Sequence, residues 1–300
     1  MTDFSKALIR CSAIGHIMKN GKGSYTDADE LKLSELKLKP KRTDNQEKQY
    51  VGLLTKKADG VLLSETCKKY LIRTYALEKY NRISDEPMTK QMYKGIQCEE
   101  DSIDLFCKVE KVFYSKNKEK IKNEFLSGTP DLFDGSTVFS SQEIIDIKSS
   151  WDITTYLKNI DGALNPLYYW QIQGYMAISG AKVGTIAYCL VNTPDEIIND
   201  EKRRLFFKMG VATEENPKFL KEVAKMERNM RFDDIPIEER VLRFTVERND
   251  NDIERIYEKV KKCRLFLADF EVKHLFFTKN HRREVIKSMQ NVISDTEYAE

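Results

Sequence analysis

Ile144-Ile145-Asp146-Ile147-Lys148 is a short apolar run that contains one aspartate and ends in a lysine. Its length and isoleucine content predict a buried β-strand. Side chains alternate along a strand, so we expect Asp146 and Lys148 on one face and Ile145 and Ile147 on the other. A buried aspartate is costly unless its charge is compensated. The run therefore predicts a strand that presents a carboxylate and an ammonium group together.

A second carboxylate precedes Asp146 by fifteen positions, in the stretch Gly128-Thr129-Pro130-Asp131. A divalent cation shared by Asp131 and Asp146 would compensate the buried charge, and Lys148 would then lie beside a bound water. Metal-dependent phosphodiesterases use such an arrangement. The residues alone leave a second interpretation open, a surface Asp-Lys pair at the frayed end of a strand, because an Asp-x-Lys triplet is common by chance.

A third acidic residue falls on a predicted helix upstream. The pattern predicts one helix from about Thr89 to Val112, with apolar positions Met92, Ile96, Ile103 and Phe106. The three- and four-residue spacing of this apolar face places Glu99 on it, between Ile96 and Ile103, whereas Glu100 is turned toward the polar side. Glu99 is therefore a candidate third acidic group, and the alternative is a glutamate at the edge of the face that reaches water.

A second helix is marked at both ends, by Asn165-Pro166 at its start and Gly180 at its end. Tyr168, Gln171 and Tyr175 share one face of it. An inward Gln171 needs a hydrogen-bond partner, either a carboxylate or phosphate oxygen or a neighbouring backbone group. Gln173 lies about 200° around the helix from Gln171, so the two cannot line one site.

The chain thus carries four motifs in order: the Glu99 helix, Gly128 to Asp131, Asp146 to Lys148, and the Gln171 helix. In this order and rough spacing they resemble the motifs of the PD-(D/E)XK nuclease superfamily, most closely those of the lambda-type exonucleases and YqaJ-like phage recombinases. The segment from Gly95 to Glu99 is similar to their G-x-x-x-E helix, and Gln171 to Tyr175 is similar to their Q-x-x-x-Y helix. The resemblance covers roughly residues 88 to 192. It implies an α/β (α+β) fold with a restriction-endonuclease-like core. In such a core a central mixed β-sheet is flanked by helices in the order αβββαβ, here with an N-terminal helical arm and C-terminal helical additions.

The resemblance also implies a catalytic site and its metal. Asp131, Asp146, the backbone carbonyl of Ile147 and Glu99 would hold Mg²⁺ or Mn²⁺, which prefer such hard oxygen ligands. Lys148 would orient the attacking water and stabilise the transition state. Gln171 would be the remaining catalytic residue of the set.

A fainter similarity lies near the N-terminus, from Arg10 to Met18. In the family a serine in a segment of small residues opens a helix and binds the 5′ phosphate of DNA. Carried over, Ser12 and Arg10 would bind phosphate, together with Tyr175 of the Q-x-x-x-Y helix, and a helix start suits an anion. The alternative places Ser12 within an amphipathic helix formed by residues 4 to 19.

The function implied by the resemblance is a Mg²⁺-dependent DNA nuclease, namely a 5′→3′ exonuclease of phage-type recombination that resects linear duplex ends. A single-strand annealing protein would be its partner, and relatives of this type form homo-oligomers of three subunits. Three alternatives stay open: a structure-specific or single-strand endonuclease on the same core, a catalytically idle DNA-binding protein, and an RNA-directed or defence nuclease.

Composition sets further expectations. The 300 residues are 41% hydrophobic and 33% charged, which is typical of a globular protein. The net charge of +2 gives no general affinity for nucleic acid, so DNA binding would need a local basic surface. Six scattered cysteines without a C-x-x-C pair indicate reduced thiols in a cytoplasmic protein of a bacterial or phage-infected cell, and they argue against a four-cysteine iron-sulfur cluster. No run approaches the ~20 apolar residues of a membrane span.

The pattern divides the chain into an N-terminal helical arm at 1–87, a nuclease core at 88–192 and a C-terminal extension at 193–300 that packs on the core. Strands are predicted near 110–115, 124–133, 137–149 and 183–191. Two features have open interpretations. Trp151 is either packing or a stacking platform for a base. The alternating lysines from Lys116 to Lys122 are either a solvated face or a DNA contact.

Overall fold

The computed structural model describes residues 3–59, 62–83, 88–162 and 164–297, with side chains described as far as residue 278 except at residue 59. The strands are β1 Ile9–Arg10, β2 Ile121–Lys122, β3 Leu126–Gly128, β4 Leu132–Phe133, β5 Glu143–Ser149, β6 Val183–Cys189 and β7 Val241–Glu247. The helices are α1 Ile14–Met18, α2 Asp27–Lys37, α3 Asp44–Asp59, α4 Glu65–Tyr80, α5 Lys90–Gln97, α6 Glu99–Glu110, α7 Ile153–Asp161, α8 Pro166–Ser179, α9 Asp195–Met209, α10 Pro217–Arg228 and α11 Asp250–Glu297.

Contacts divide these elements into two compact units. One contains residues 1–7, 16–83 and 257–300, and the other contains residues 8–15 and 84–256. The predicted boundary at residue 87 lies outside the described residues. The predicted division into three consecutive segments, with boundaries at 87 and 192, therefore stays a prediction. The contacts within the structure group the chain into two units instead.

The larger unit, residues 8–15 and 84–256, is built on a four-stranded mixed sheet in the order β4-β5-β6-β7. β5 and β6 are parallel, and they pair from Glu143 with Val183 to Ser149 with Cys189. β4 and β7 pair antiparallel with β5 and β6. A smaller sheet has the order β1-β3-β2, in which β1 lies parallel to β3. The predicted mixed sheet with flanking helices is confirmed.

The alternation predicted for the central strand is confirmed. Ile145 and Ile147 belong to a buried cluster with Leu105 and Phe106 of α6. Asp146, 1% exposed, lies in an ion pair with Lys148. The apolar side chains on one face of β5 therefore pack against α6. The charged side chains of Asp146 and Lys148 lie on the opposite face, and α8 also contacts the strand.

Helix α8 begins and ends where its sequence predicts. The Asn165 side chain accepts a hydrogen bond from the backbone N–H of Leu167, and Gly180 ends the helix with φ +88°. Two glycines allow its middle to pack closely, because a Cβ at Gly174 would lie 2.2 Å from the side chain of Ile14, and one at Gly128 would lie 2.6 Å from the ring of Tyr175. These contacts fix α8 against β3 and the short turn Cys11–Ala13.

The single helix predicted from Thr89 to Val112 is wrong. The chain forms α5 and α6 with a break at Cys98, whose thiol donates a hydrogen bond to the carbonyl of Asn192. Met92 and Ile96 are more than half exposed, and α5 buries Lys94 instead. The ammonium group of Lys94 donates to the carbonyl of Trp151, and this buried hydrogen bond turns the Lys94 face of α5 inward.

Two strand predictions also need correction. Residues 110–115 form no strand, because Lys111 takes the left-handed conformation (φ +56°) that ends α6. Val112 and Tyr114 then pack against the buried cluster as irregular chain. The stretch predicted as one strand at 124–133 splits into β3 and β4, which belong to different sheets, and α7 adds a helix to the predicted αβββαβ order.

The smaller unit, residues 1–7, 16–83 and 257–300, is helical. Leu33, Leu36 and Leu53 form a buried cluster between α2 and α3. The Ser64 hydroxyl caps α4 by accepting from the N–H of Cys67. Nowhere in the described parts of the chain is a helix both long and apolar enough to cross a membrane.

Candidate active site

Two carboxylates meet at the β4–β5 pair. Asp131 directly precedes β4, and its Oδ2 accepts a 2.7 Å hydrogen bond from the backbone N–H of Ile147. Asp146 is 1% exposed, and its Oδ1 accepts a 3.1 Å hydrogen bond from Nε2 of Gln171. Nζ of Lys148 lies 2.6 Å from Oδ2 of Asp146 as an ion pair. The structure thus brings Asp131, Asp146, Lys148 and Gln171 together.

Burial and neighbouring charges shift the pKa values of Asp131 and Lys148. Burial raises the pKa of Asp131 to about 7, and the nearby charge of Asp146 contributes, against opposing effects of Lys148 and the Ile147 hydrogen bond. Burial alone would lower the pKa of Lys148, but the charges of Asp146 and Asp131 outweigh it and raise that pKa. The lysine is therefore a cation at neutral pH, and the Asp131 carboxylate is held in a site that disfavours its charge.

Gln171 connects the carboxylates to a buried tyrosine. Its Nε2 also donates to the hydroxyl oxygen of Tyr175 at 3.1 Å, and burial raises the pKa of that hydroxyl. Of the partners left open for Gln171, the structure shows a carboxylate, that of Asp146. Gln173 bonds instead to the carbonyl of Glu247 and the N–H of Asn249, away from the carboxylates. Tyr168, on the same face as Gln171, places its ring 4.8 Å from Nζ of Lys148.

Glu99 begins α6 and is half-buried, while Glu100 beside it is exposed. Oε2 of Glu99 lies 2.9 Å from Nζ of Lys116 in an ion pair. Its charge also contributes to the raised pKa of Asp131, so the three carboxylates share one electrostatic environment. In the part of the chain that the structure describes, no three His, Cys, Asp or Glu side chains come close enough to hold a metal ion. The role of Glu99 as a ligand therefore stays a prediction.

The donor set fits a small hard cation. Oδ2 of Asp146 is buried, and the ammonium group of Lys148 lies 2.6 Å from it. Asp131 is a second carboxylate in the same environment. Mg²⁺ is commonly held by one or two carboxylates, with waters completing its octahedral shell. Two carboxylates and the nearby backbone carbonyl of Ile147 meet that requirement.

A cavity of about 310 Å³ adjoins this group through Tyr175. Its lining residues are Arg10, Cys11, Ser12, Lys120, Ser127, Gly128, Thr129 and Tyr175. The parallel pairing of β1 with β3 brings Arg10 opposite Ser127. The structure thus gathers all three residues predicted to bind phosphate, Arg10, Ser12 and Tyr175, in one cavity.

The local structure around Ser12 differs from the prediction. Residues 4–19 form short turns, β1 and α1 rather than one amphipathic helix, and Ser12 lies exposed in the turn Cys11–Ala13. The strand forms because Ile9 and Arg10 pair with β3, which no local pattern reveals. The alternating lysines had two open interpretations, and the structure places Lys116 beside Glu99 and Lys120 in the lining of the cavity.

Comparison with known proteins identifies the fold. No family model matches the sequence, and no curated protein matches it either. A phage-related exonuclease from Haemophilus somnus 129PT is 20% identical, with a TM-score of 0.59 over 90% of this chain and 97% of that one. An alkaline exonuclease from Laribacter hongkongensis is 12% identical, with a TM-score of 0.51 over 94% and 95%. A structure of that exonuclease in complex with dAMP gives a TM-score of 0.50 at 12% identity, over 94% of this chain and 97% of that one. The chain has the fold of these exonucleases.

Proposed function

We propose that this chain is a metal-dependent DNA exonuclease that hydrolyses linear duplex from its 5′ ends. The observation that carries the proposal is the group of Asp131, Asp146 and Lys148, in which two carboxylates and an ammonium group meet around the almost fully buried Asp146. The shared fold supports it, since the similar structures are exonucleases and one of them binds dAMP. A protein that only bound DNA would have no need of such a group.

Mg²⁺ or Mn²⁺ is the cofactor of this proposal. Asp131, Asp146 and the carbonyl of Ile147 would hold it, with Glu99 contributing directly or through water. The bound ion would lower the pKa of a coordinated water and neutralise charge that develops on the scissile phosphate.

The chain's own residues prepare this chemistry. Lys148 stays protonated beside Asp146, so its ammonium group can orient water and stabilise the negative charge of the transition state. Gln171 holds Oδ1 of Asp146, which fixes the direction of Oδ2. Because Gln171 donates to the oxygen of Tyr175, the phenolic proton is left to donate toward the adjoining cavity.

The adjoining cavity is the proposed site for the 5′ phosphate. Arg10, Ser12 and Lys120 supply two cations and a hydroxyl, which suit a terminal phosphate. Lys120→Gln should reduce the preference for 5′-phosphorylated over 5′-hydroxyl ends. Lys122→Gln is the matched control, because Lys122 is an exposed lysine of the same stretch outside the cavity lining. An equal loss in both variants would contradict this assignment.

The decisive experiment compares linear and closed circular DNA. With Mg²⁺, the protein should degrade linear duplex labelled at the 5′ end, release mononucleotides and spare covalently closed circles. Cutting of circles would identify an endonuclease, and loss of label from 3′ ends first would reverse the polarity. Complete inactivity with every metal would overturn the proposal.

The proposal extends to biological context on the strength of the sequence resemblance alone. It includes phage-type recombination with a strand-annealing partner, a homo-oligomer of three subunits and a cytoplasmic location. Sedimentation analysis of the purified chain tests the oligomer, because a trimer has three times the 35.0 kDa mass of one chain.

A further inference from the structure

A second cavity, of about 390 Å³, lies beyond the end of β5. It is lined by Trp151, Asp152, Glu201, Arg204, Leu205, Lys208, Glu222, Lys225, Met226, Asn229 and Met230. The lining combines apolar side chains, one of them an indole ring, with cationic groups. Small-molecule sites commonly combine apolar and aromatic side chains with a few polar or charged groups in this way.

The walls of this cavity are well supported. Helices α9 and α10 pack through an edge-to-face contact between Phe206 and Phe219, whose ring centroids lie 5.4 Å apart. An ion pair between Lys202 and Glu214 (2.8 Å) spans the turn that joins them. The cavity is therefore part of the fold rather than a gap between loose helices.

Trp151 is held in place by the buried Lys94. Nζ of Lys94 donates a 2.9 Å hydrogen bond to the carbonyl of Trp151 and lies 5.9 Å from the centre of its ring. The same ammonium group lies 5.3 Å from the ring of Phe232. Trp151 itself stays partly exposed, as a stacking surface must be.

The lining holds three carboxylates and three cationic side chains. Glu201 pairs with Lys90, and Arg204 makes a 3.5 Å ion pair with Asp200. Asp152 is oriented toward the start of α7, where it accepts from the N–H of Thr155. Among the described residues Lys208 and Lys225 have no ion-pair partner, so two ammonium groups are available to a phosphate.

We propose that this cavity binds a deoxynucleotide, with its base against Trp151 and its phosphate at Lys208 and Lys225. The inference rests on the proposed nuclease function and adds a second nucleotide subsite to it. Trp151 follows Lys148 by three residues, so their Cα atoms are at most about 11 Å apart. The bound nucleotide is thus either part of the substrate strand near the hydrolysed bond or a released mononucleotide.

Fluorescence of Trp151 tests the proposal directly. The chain has two tryptophans, so Trp170→Phe leaves Trp151 as the only one. This variant is titrated in EDTA, where hydrolysis is suppressed, with thymidine monophosphate, with an eight-residue oligothymidylate and with inorganic phosphate. Stacking of a base should quench the fluorescence. Quenching by the mononucleotide indicates a product site, quenching by the oligonucleotide alone indicates a strand site, and phosphate alone should quench little.

A matched pair of double variants tests the cations. Lys208→Gln with Lys225→Gln should weaken the binding that quenches Trp151 at least tenfold. Lys218→Gln with Lys221→Gln removes two exposed lysines of α10 outside the cavity and should leave that binding within twofold. Absence of quenching by both nucleotide ligands, or equal weakening in both double variants, would overturn the proposal.

The test separates this inference from the proposed function. Hydrolysis of linear duplex by the wild-type chain is measured independently with Mg²⁺. If hydrolysis occurs but Trp151 is not quenched, the subsite alone is wrong. If Trp151 is quenched but no metal supports hydrolysis, the subsite stands and the nuclease proposal fails.

Discussion

Asp131→Asn should stabilise the metal-free protein at pH 8 and abolish hydrolysis of DNA. Burial raises the pKa of Asp131 from 3.8 to about 7, so at pH 8 the site holds a charge that it disfavours. A shift of about three pKa units corresponds to at most about 4 kcal/mol, at ~1.4 kcal/mol per unit. The amide oxygen of Asn can still accept the hydrogen bond from the N–H of Ile147. We therefore expect a gain of about 1–4 kcal/mol in the free energy of unfolding.

The sign of the pH dependence follows from proton binding. Between pH 4 and pH 7 the native Asp131 holds a proton that the unfolded chain has released. The contribution of Asp131 to the free energy of unfolding therefore falls as pH rises through this window, and the loss is complete above pH 7. The variant lacks this titration, so its gain should be near zero below pH 4, smaller at pH 5 than at pH 8, and largest at pH 8.

Urea denaturation in EDTA at pH 5 and pH 8 measures this difference. Asp134→Asn is the control, because Asp134 is an exposed aspartate that also accepts backbone hydrogen bonds, and its substitution should show no gain that depends on pH. Added Mg²⁺ should raise the midpoint of wild-type unfolding more than that of the Asp131 variant. An equal effect of the substitution at both pH values, or a loss of stability at pH 8, would refute the argument.

Three further substitution experiments address the neighbouring residues. Lys148→Met removes the ammonium group beside the carboxylates. It should lower the rate of single-turnover hydrolysis at least ~100-fold with little change in DNA affinity, since electrostatic stabilisation of this kind is worth about 3 kcal/mol. Retained activity would show that the lysine has another role. Gln171→Leu should lower the hydrolysis rate. Gln173→Leu leaves two backbone groups of the described chain unpaired, so it should instead lower the free energy of unfolding, measured with urea, by about 1–3 kcal/mol. The reverse pattern would contradict the positions assigned to the two glutamines. Glu99→Gln should slow hydrolysis at saturating Mg²⁺ more than Glu100→Gln does, and equal rates would remove Glu99 from the site.

The face of the central strand and the caps of α8 were predictable because their signals are local. An aspartate and a lysine two positions apart in an apolar run must share a face, and the structure places Asp146 and Lys148 in contact. Asn165 and Gly180 mark the ends of α8 through backbone hydrogen bonding and a left-handed conformation. The inward position of Gln171 predicted that it needs a hydrogen-bond partner, and the structure identifies that partner as Asp146.

The break at Cys98 was not predictable from periodicity. The apolar spacing of Met92 and Ile96 favoured one inward face, but the structure buries Lys94 on another. Its stabilising partner is the carbonyl of Trp151, more than fifty residues away. Tertiary contacts of this kind override local propensity and leave no mark in the local pattern.

The phosphate cavity was only partly predictable for a related reason. Ser12 and Arg10 were found by resemblance, yet the strand that positions them exists only because it pairs with β3. Lys120 reaches the same cavity from the lysine stretch. A pattern of alternating lysines is compatible with a solvated surface as well as with a binding site, so sequence alone could not decide between them.

The parallel pairing of β1 with β3 has a consequence for biosynthesis. Ile9 pairs with Leu126, more than one hundred residues later, so the first strand leaves the ribosome long before its partner. At ~5–20 residues per second this interval is on the order of ten seconds. Arg10 and Ser12 are therefore synthesised long before the rest of the cavity that they line, which is completed only after Lys120, Gly128 and Tyr175 have emerged. A nascent chain arrested before residue 126 would carry the N-terminal segment without its strand partner, open to chaperones and proteases.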